Sequence, residues 1–135
     1  MTKKEIIWRE ILYQSLERRV FKFTQQDLAK KFGFSVSTIS NALKVPRQSG
    51  AIKVSSRFFA VADKEKLLAI WATFRNLGKE IIYQTHVDLP VLKIIGQLPS
   101  AVILGGYVAY QQKFNEAPAD FDKVHLYASD LMEIK

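Results

Sequence analysis

The chain has no cysteine and only two histidines, His86 and His125. A disulfide framework, a thiolate zinc site and cysteine nucleophile chemistry are therefore excluded, and neither a structural metal nor a cofactor is expected. Long apolar runs are also missing. The longest, residues 101–106 with its flanks, falls far short of the roughly 20 residues a membrane-spanning helix needs. The opening residues, Lys3-Lys4-Glu5 followed by an amphipathic pattern, do not read as a signal peptide, so the expected compartment is the cytoplasm. There is no internal repeat and no low-complexity segment. What remains is a chain of 135 residues, 48% hydrophobic and 24% charged, which suffices for one core or two small ones.

Acidic charge is scarce in one half. Residues 1–66 hold 14 Lys/Arg against 6 Asp/Glu, a balance of +8, whereas residues 67–135 hold 6 against 7, a balance of −1. A basic balance by itself is a weak pointer to nucleic acid. Its concentration around a recognisable motif is a stronger one.

Ile7, Trp8, Ile11, Leu12 and Leu16 recur at helical spacing, so a first helix with one buried face is expected over residues 3–18. Lys3, Lys4, Arg9, Arg18 and Arg19 read as the solvated charges of its polar face. Thr24, with Asp27 three residues later, is close to a capping box that starts a second helix at Gln25. That helix runs through Leu28, Ala29 and Phe32 and stops at Gly33, where a left-handed turn suits glycine. Ser35 caps a third helix that is expected to end near Leu43, because Val45-Pro46 disfavours further helix. Two strand-like runs follow, residues 51–55 and 57–61, separated by a turn at Ser55-Ser56. A long helix is expected over residues 64–84, through Leu67, Ile70, Trp71, Phe74, Leu77 and Ile81. Its apolar face is a candidate dimer interface or a packing surface for the carboxy-terminal unit of the same chain. Then come a short helix at residues 90–97, a strand at 101–104, a Gly105-Gly106 turn, a helix at 107–114 and a strand at 124–128. Two strands make a marginal sheet.

The segment from Asp27 to Leu43 carries the functional signal. Ala29 is small where two helices approach, Gly33 supplies the turn, and Leu28, Phe34, Ile39 and Leu43 anchor the pair to the first helix. Ser37, Thr38, Ser40, Asn41 and Lys44 are left outward, a face of short hydrogen-bonding groups suited to base edges and phosphates. About 17 residues of this stretch resemble the helix-turn-helix of lac-repressor-type regulators. Residues 5–63 as a whole, with their two strands, look like a MarR- or ArsR-type winged-helix domain. The resemblance implies that Val36, Ser37 and Asn41 contact bases and that Lys53 and Arg57 lie on a wing. It further implies that Thr38, Ser40, Lys44 and Arg47 hold phosphates, with Gln25, Gln26 and Ser35 flanking the same surface.

In the second half, Leu104-Gly105-Gly106 followed after 13 residues by Asp120-Phe121-Asp122 resembles the Gly-[Gly/Ser]…Asp-x-Asp signature of nucleotidyltransferases. In active members the glycine turn cradles triphosphate and the carboxylates hold magnesium. Here Lys123 follows the second carboxylate and little chain remains for a third, so the set is incomplete and no enzyme is expected. The two aspartates read as part of a solvated loop, and neither histidine is assigned a role. A winged helix followed by a degenerate nucleotidyltransferase-like region is similar to AbiE-type antitoxin relatives.

The expected fold class is α+β. It comprises a winged helix-turn-helix over residues 1–63, a linking helix over 64–87 and a small α/β unit over 88–135. The function expected is a prokaryotic transcriptional regulator that binds double-stranded DNA as a homodimer, with residues 35–44 as the recognition helix. The alternative is an antitoxin-like protein whose second half binds a partner protein while its winged helix autoregulates an operon.

Overall fold

A reciprocal cap starts the first helix. The Thr2 amide donates to Glu5 Oε2 at 2.6 Å and the Glu5 amide donates to Thr2 Oγ1 at 3.3 Å, so two otherwise unpaired amides are satisfied and α1 spans Lys3–Glu17. Its buried face is Ile7, Trp8, Ile11, Leu12 and Ser15. Leu16, expected on that face, is 45% exposed. At about 100° per residue it falls at the edge of the stripe, whereas Ser15 sits inside it and satisfies its hydroxyl on the Ile11 carbonyl at 2.7 Å.

The computed structural model describes residues 1–117 and 121–128. After α1, the two-residue strand β1, Lys22–Phe23, leads into α2, Gln25–Phe32. Thr24 caps α2 by accepting from the Asp27 amide at 3.1 Å, and Gly33, at φ 65°, ends it. Ser35 caps α3 by accepting from the Thr38 amide at 3.2 Å. The expectation that α3 ends near Leu43 is wrong: it spans Val36–Gln48 with Pro46 inside it. Proline cannot donate to the carbonyl four residues back, but that carbonyl, Ala42 O, accepts instead from the Trp8 indole Nε1 at 2.8 Å.

Gly50, at φ 79°, turns the chain out of α3. Ala51, fully buried, then donates to Pro46 O at 2.9 Å and accepts from the amides of Ala62 and Asp63 at 2.9 and 3.0 Å. It ties the end of α3 to both ends of a hairpin, β2 (Ile52–Val54) and β3 (Phe59–Val61). These strands are shorter than the expected runs because Ser55 donates both its amide and its hydroxyl to Phe58 O, each at 2.8 Å, and closes a turn over residues 55–58. Strand β1 joins the other side of β3, so the sheet is antiparallel in the order β1-β3-β2, with Phe23 opposite Phe59 and Ile52 opposite Val61. Nothing in the sequence pattern marks β1, since two residues show no periodicity.

Asp63 caps α4 by accepting from the Lys66 amide at 2.9 Å. This helix ends at Phe74, not at residue 84 as expected: Arg75 is extended and pairs with Glu80 at 2.5 Å, and a short 3₁₀ turn, Leu77–Lys79, follows. Asn76 and Gly78 are poor helix formers in that interval. Instead of linking two halves, α4 packs on α1, with Leu67 fully buried and Phe74 edge-on to Trp8 at 5.1 Å. A single core joins Trp8, Ile11, Leu28, Ile39, Ile52, Phe59 and Leu67. Residues 1–80 form one compact unit.

Residues 81–135 form a second unit. Its described elements are α5 (Val91–Gln97), β4 (Ile103–Gly105), α6 (Gly106–Phe114) and β5 (His125–Tyr127), with β4 and β5 antiparallel and Ile103 opposite Tyr127. The expected glycine turn is absent as a separate element, because Gly105 closes β4 and Gly106, at φ 58°, opens α6. A Cβ on Gly105 would lie 2.9 Å from the Tyr127 ring. Among the described residues of this unit, Val108 is the one buried large apolar side chain. The class is thus α+β, six α-helices and two small antiparallel sheets among the described residues. None of these helices is long and apolar enough to cross a membrane.

Candidate nucleic-acid interface

Helix α3 divides cleanly along its length. Ile39, Ala42, Leu43 and Pro46 are buried, at spacings of three and four. Ser37, Ser40, Asn41, Lys44, Arg47 and Gln48 are all exposed on the opposite stripe, which at 1.5 Å per residue is about 16 Å long. Val36 is exposed at its beginning. Gln48 was not anticipated from sequence, because a helix stopped before Pro46 would not carry it onto this stripe.

The expected contacts differ in how free they are. Ser35 is the cap itself, with its hydroxyl 3.0 Å from Ser37 Oγ and 2.9 Å from Thr38 Oγ1. Thr38 is half-buried, so its hydroxyl serves the helix start. Ser40, Asn41, Lys44, Arg47 and Gln48 have no hydrogen-bond or ionic partner among the described residues. Gln25 is half-buried and Gln26 exposed at the start of α2. Both line an open cleft of about 400 Å³ whose other walls are Val36 and the hairpin turn with Ser56, Arg57 and Phe58. Lys53 projects from β2, exposed, opposite Ala60, and Arg57 is exposed in the turn. The structure therefore brings the beginnings of α2 and α3 and the hairpin turn around one cleft.

Charge is segregated on this surface. Between Leu28 and Ala62 there is no Asp or Glu, while Lys30, Lys31, Lys44, Arg47, Lys53 and Arg57 all fall there. Among the described residues, only Lys31 of these is neutralised, by Glu10 on α1. Other cations are occupied by the fold: Lys3 lies over the Phe34 ring, Lys4 over Trp8 and Phe74, Lys22 over Phe58 at 4.9 Å, and Lys66 donates to Ser49 O at 3.1 Å. Lys22, beside the hairpin through that ring, is a further basic residue the sequence did not single out.

Two carboxylates of α1, Glu5 and Glu10, are held in the charged form. Hydrogen bonds from the Thr2 backbone and side chain keep the Glu5 carboxyl below its ordinary value. For Glu10, partial burial pushes upward, but hydrogen bonds from Lys31 and Gln14 outweigh it and the net shift is down. These residues fasten the helix that carries Trp8, and do not line the cleft.

In the second unit, Gly105 and Gly106 are occupied structurally. The Cβ of an alanine at Gly106 would lie 3.1 Å from His125 Nδ1. Asp122 is exposed and Asp120 lies outside the described residues. No group of three or more His, Asp or Glu gathers into a metal-binding cluster among the described residues. Comparison of the chain with protein-family models, with curated proteins and with solved structures finds no match to any of them.

Proposed function

We propose that residues 1–63 are a winged helix-turn-helix that binds double-stranded DNA and that the protein is a prokaryotic, cytoplasmic transcriptional regulator. The observation that carries this reading is the α3 stripe: a continuous row of exposed polar and basic side chains, without partners among the described residues from Ser40 onward, on a helix whose other face is locked in the core. Such a helix fits a major groove about 12 Å wide. Val36, Ser37 and Asn41 meet base edges near its start, while Ser40, Lys44 and Arg47 meet phosphates further along. Lys53 and Arg57 extend the contact through the hairpin as a wing. A carboxylate on this face would repel phosphate, and its residues contain none. Two copies acting as a homodimer would gain affinity from a two-fold site.

Selection of sites from a random duplex pool at fixed salt tests this. A defined site is expected for the parent protein, with altered preference for Asn41→Ala. Arg47→Ala should weaken all sequences alike. With Lys44, Arg47, Lys53 and Arg57 each on a phosphate, the logarithm of affinity should fall against the logarithm of salt with a slope of about −4 per protomer. No enrichment over non-specific binding would end the proposal.

An antitoxin-like role, with a partner protein bound through the second unit, is the second reading. It is favoured by the apolar surface that unit leaves open, Ile82 at 77%, Leu92 at 73% and Ile103 at 67% exposure. Stoichiometric co-purification of one protein from the native host would support it.

A further inference from the structure

We infer that Trp8 is a positioning residue for the DNA-reading face. In this role its indole N–H replaces the amide that Pro46 lacks, so that α3 runs on for one more turn and carries Arg47 and Gln48 into line with Ser37, Asn41 and Lys44. This rests on the DNA-binding reading of α3.

An interior proline costs a helix about 3 kcal/mol, because it deprives the carbonyl four residues back of its donor and its ring crowds that same carbonyl outward. In α3 the carbonyl concerned is Ala42 O, and it lies in the core, where no water can stand in for the missing amide: Ala42 is 2% exposed and Trp8 and Pro46 are both fully buried. A buried acceptor left alone is penalised, and so is a buried indole donor. Each satisfies the other at 2.8 Å. The geometry suits the exchange, since α3 packs on α1 and the Ala42 carbonyl lies within hydrogen-bond reach of the Trp8 indole there. Trp71, the second tryptophan, shows the contrast: its buried indole nitrogen has no partner among the described residues.

Beyond Pro46 the helix is intact. Ser49 and Gly50 donate to Val45 O and Arg47 O at 3.0 and 3.1 Å, and Pro46 O accepts from Ser49 Oγ and from the Ala51 amide, both at 2.9 Å. Were α3 to break at Leu43, Lys44 would be its last aligned cation, and the Ala51 junction of the hairpin would lose its anchor on Pro46. One indole thus determines both the length of the reading stripe and the root of the hairpin.

The test is a cycle of Trp8→Phe, Pro46→Ala and the double variant in the full chain, read by amide hydrogen exchange and by duplex binding. Trp8→Phe keeps an aromatic ring but removes the donor. Exchange at residues 47–51 should accelerate about tenfold, with a loss of DNA affinity similar to that of Arg47→Ala. In Trp8→Phe/Pro46→Ala the new alanine amide supplies the missing donor, so protection and affinity should recover. Equal impairment of the single and double variants would mean that Trp8 acts through packing alone and would overturn the inference, as would unchanged exchange in Trp8→Phe. If Trp8→Phe does not fold, recovery of helical circular dichroism in the double variant supports the inference and continued unfolding overturns it. If the parent binds no duplex DNA, the functional reading fails, and exchange alone then decides the role of Trp8.

Discussion

The two units of this chain are built to different degrees of self-sufficiency. Residues 1–80 bury fourteen apolar side chains around Trp8 and Phe59, Pro46 among them, whereas among the described residues of 81–135 Val108 is the one buried apolar side chain. The charge differs as well: 16 Lys/Arg against 7 Asp/Glu in residues 1–80, and 4 against 6 in the remainder. The first unit has an apolar core and a polar face, the arrangement of a domain that folds alone and presents one side. In the second, a two-stranded sheet with large apolar residues open to solvent is below what an independent sheet needs.

The largest test of this contrast is excision. Residues 1–80 alone should melt cooperatively and keep the duplex affinity of the full chain, whereas residues 81–135 alone should show no cooperative transition by calorimetry. A cooperative transition in the second fragment would break the comparison. Next in size is Phe59→Ala, which empties a fully buried site stacked on Phe23 and should cost about 3–5 kcal/mol in chemical denaturation. Val108→Ala should leave the transition of residues 1–80 where it is. Smaller again is Gly33→Ala: the space is open but φ is 65°, so a loss of about 1 kcal/mol is expected from backbone conformation alone.

The smallest effect is on pH. Glu5 and Glu10 both have carboxyls held below their ordinary value. Each therefore contributes stability that is fully present above the unfolded value, about 4.3, and is lost as pH falls through the lowered folded value. The melting temperature of the first unit should decline as pH drops below about 4, and Glu5→Gln with Glu10→Gln should flatten that decline.

Which parts of this were legible in the sequence follows from where the determinants lie. The α2–turn–α3 segment was readable because Thr24, Gly33 and Ser35 act on their own neighbours, so each signal sits within three residues of what it causes. The exposed stripe as far as Lys44 followed from helical spacing. The course of α3 past Pro46 was not readable, because its cause is 34 residues away, on α1. The same holds for β1, which is a strand only because β3 lies beside it. For α4 the stop is local, at Asn76, Gly78 and the Arg75–Glu80 pair, but an apolar pattern that continues past Phe74 masks it. In the second unit the glycine pair suggested a phosphate cradle, yet its demand for glycine comes from Tyr127 and His125 across the sheet.

The clamp at Ala51 has a consequence for how such a protein can be altered. Because that residue fixes the hairpin to Pro46 below and to Ala62 and Asp63 alongside, the length of the arm beyond it is independent of where α3 lies. Each pair of residues added between Ser56 and Arg57 would extend the arm by about 3.4 Å while leaving helix, core and root untouched. If the proposed DNA binding holds, reach along a duplex is thereby an adjustable dimension of this molecule, open to change by insertion without redesign of α3.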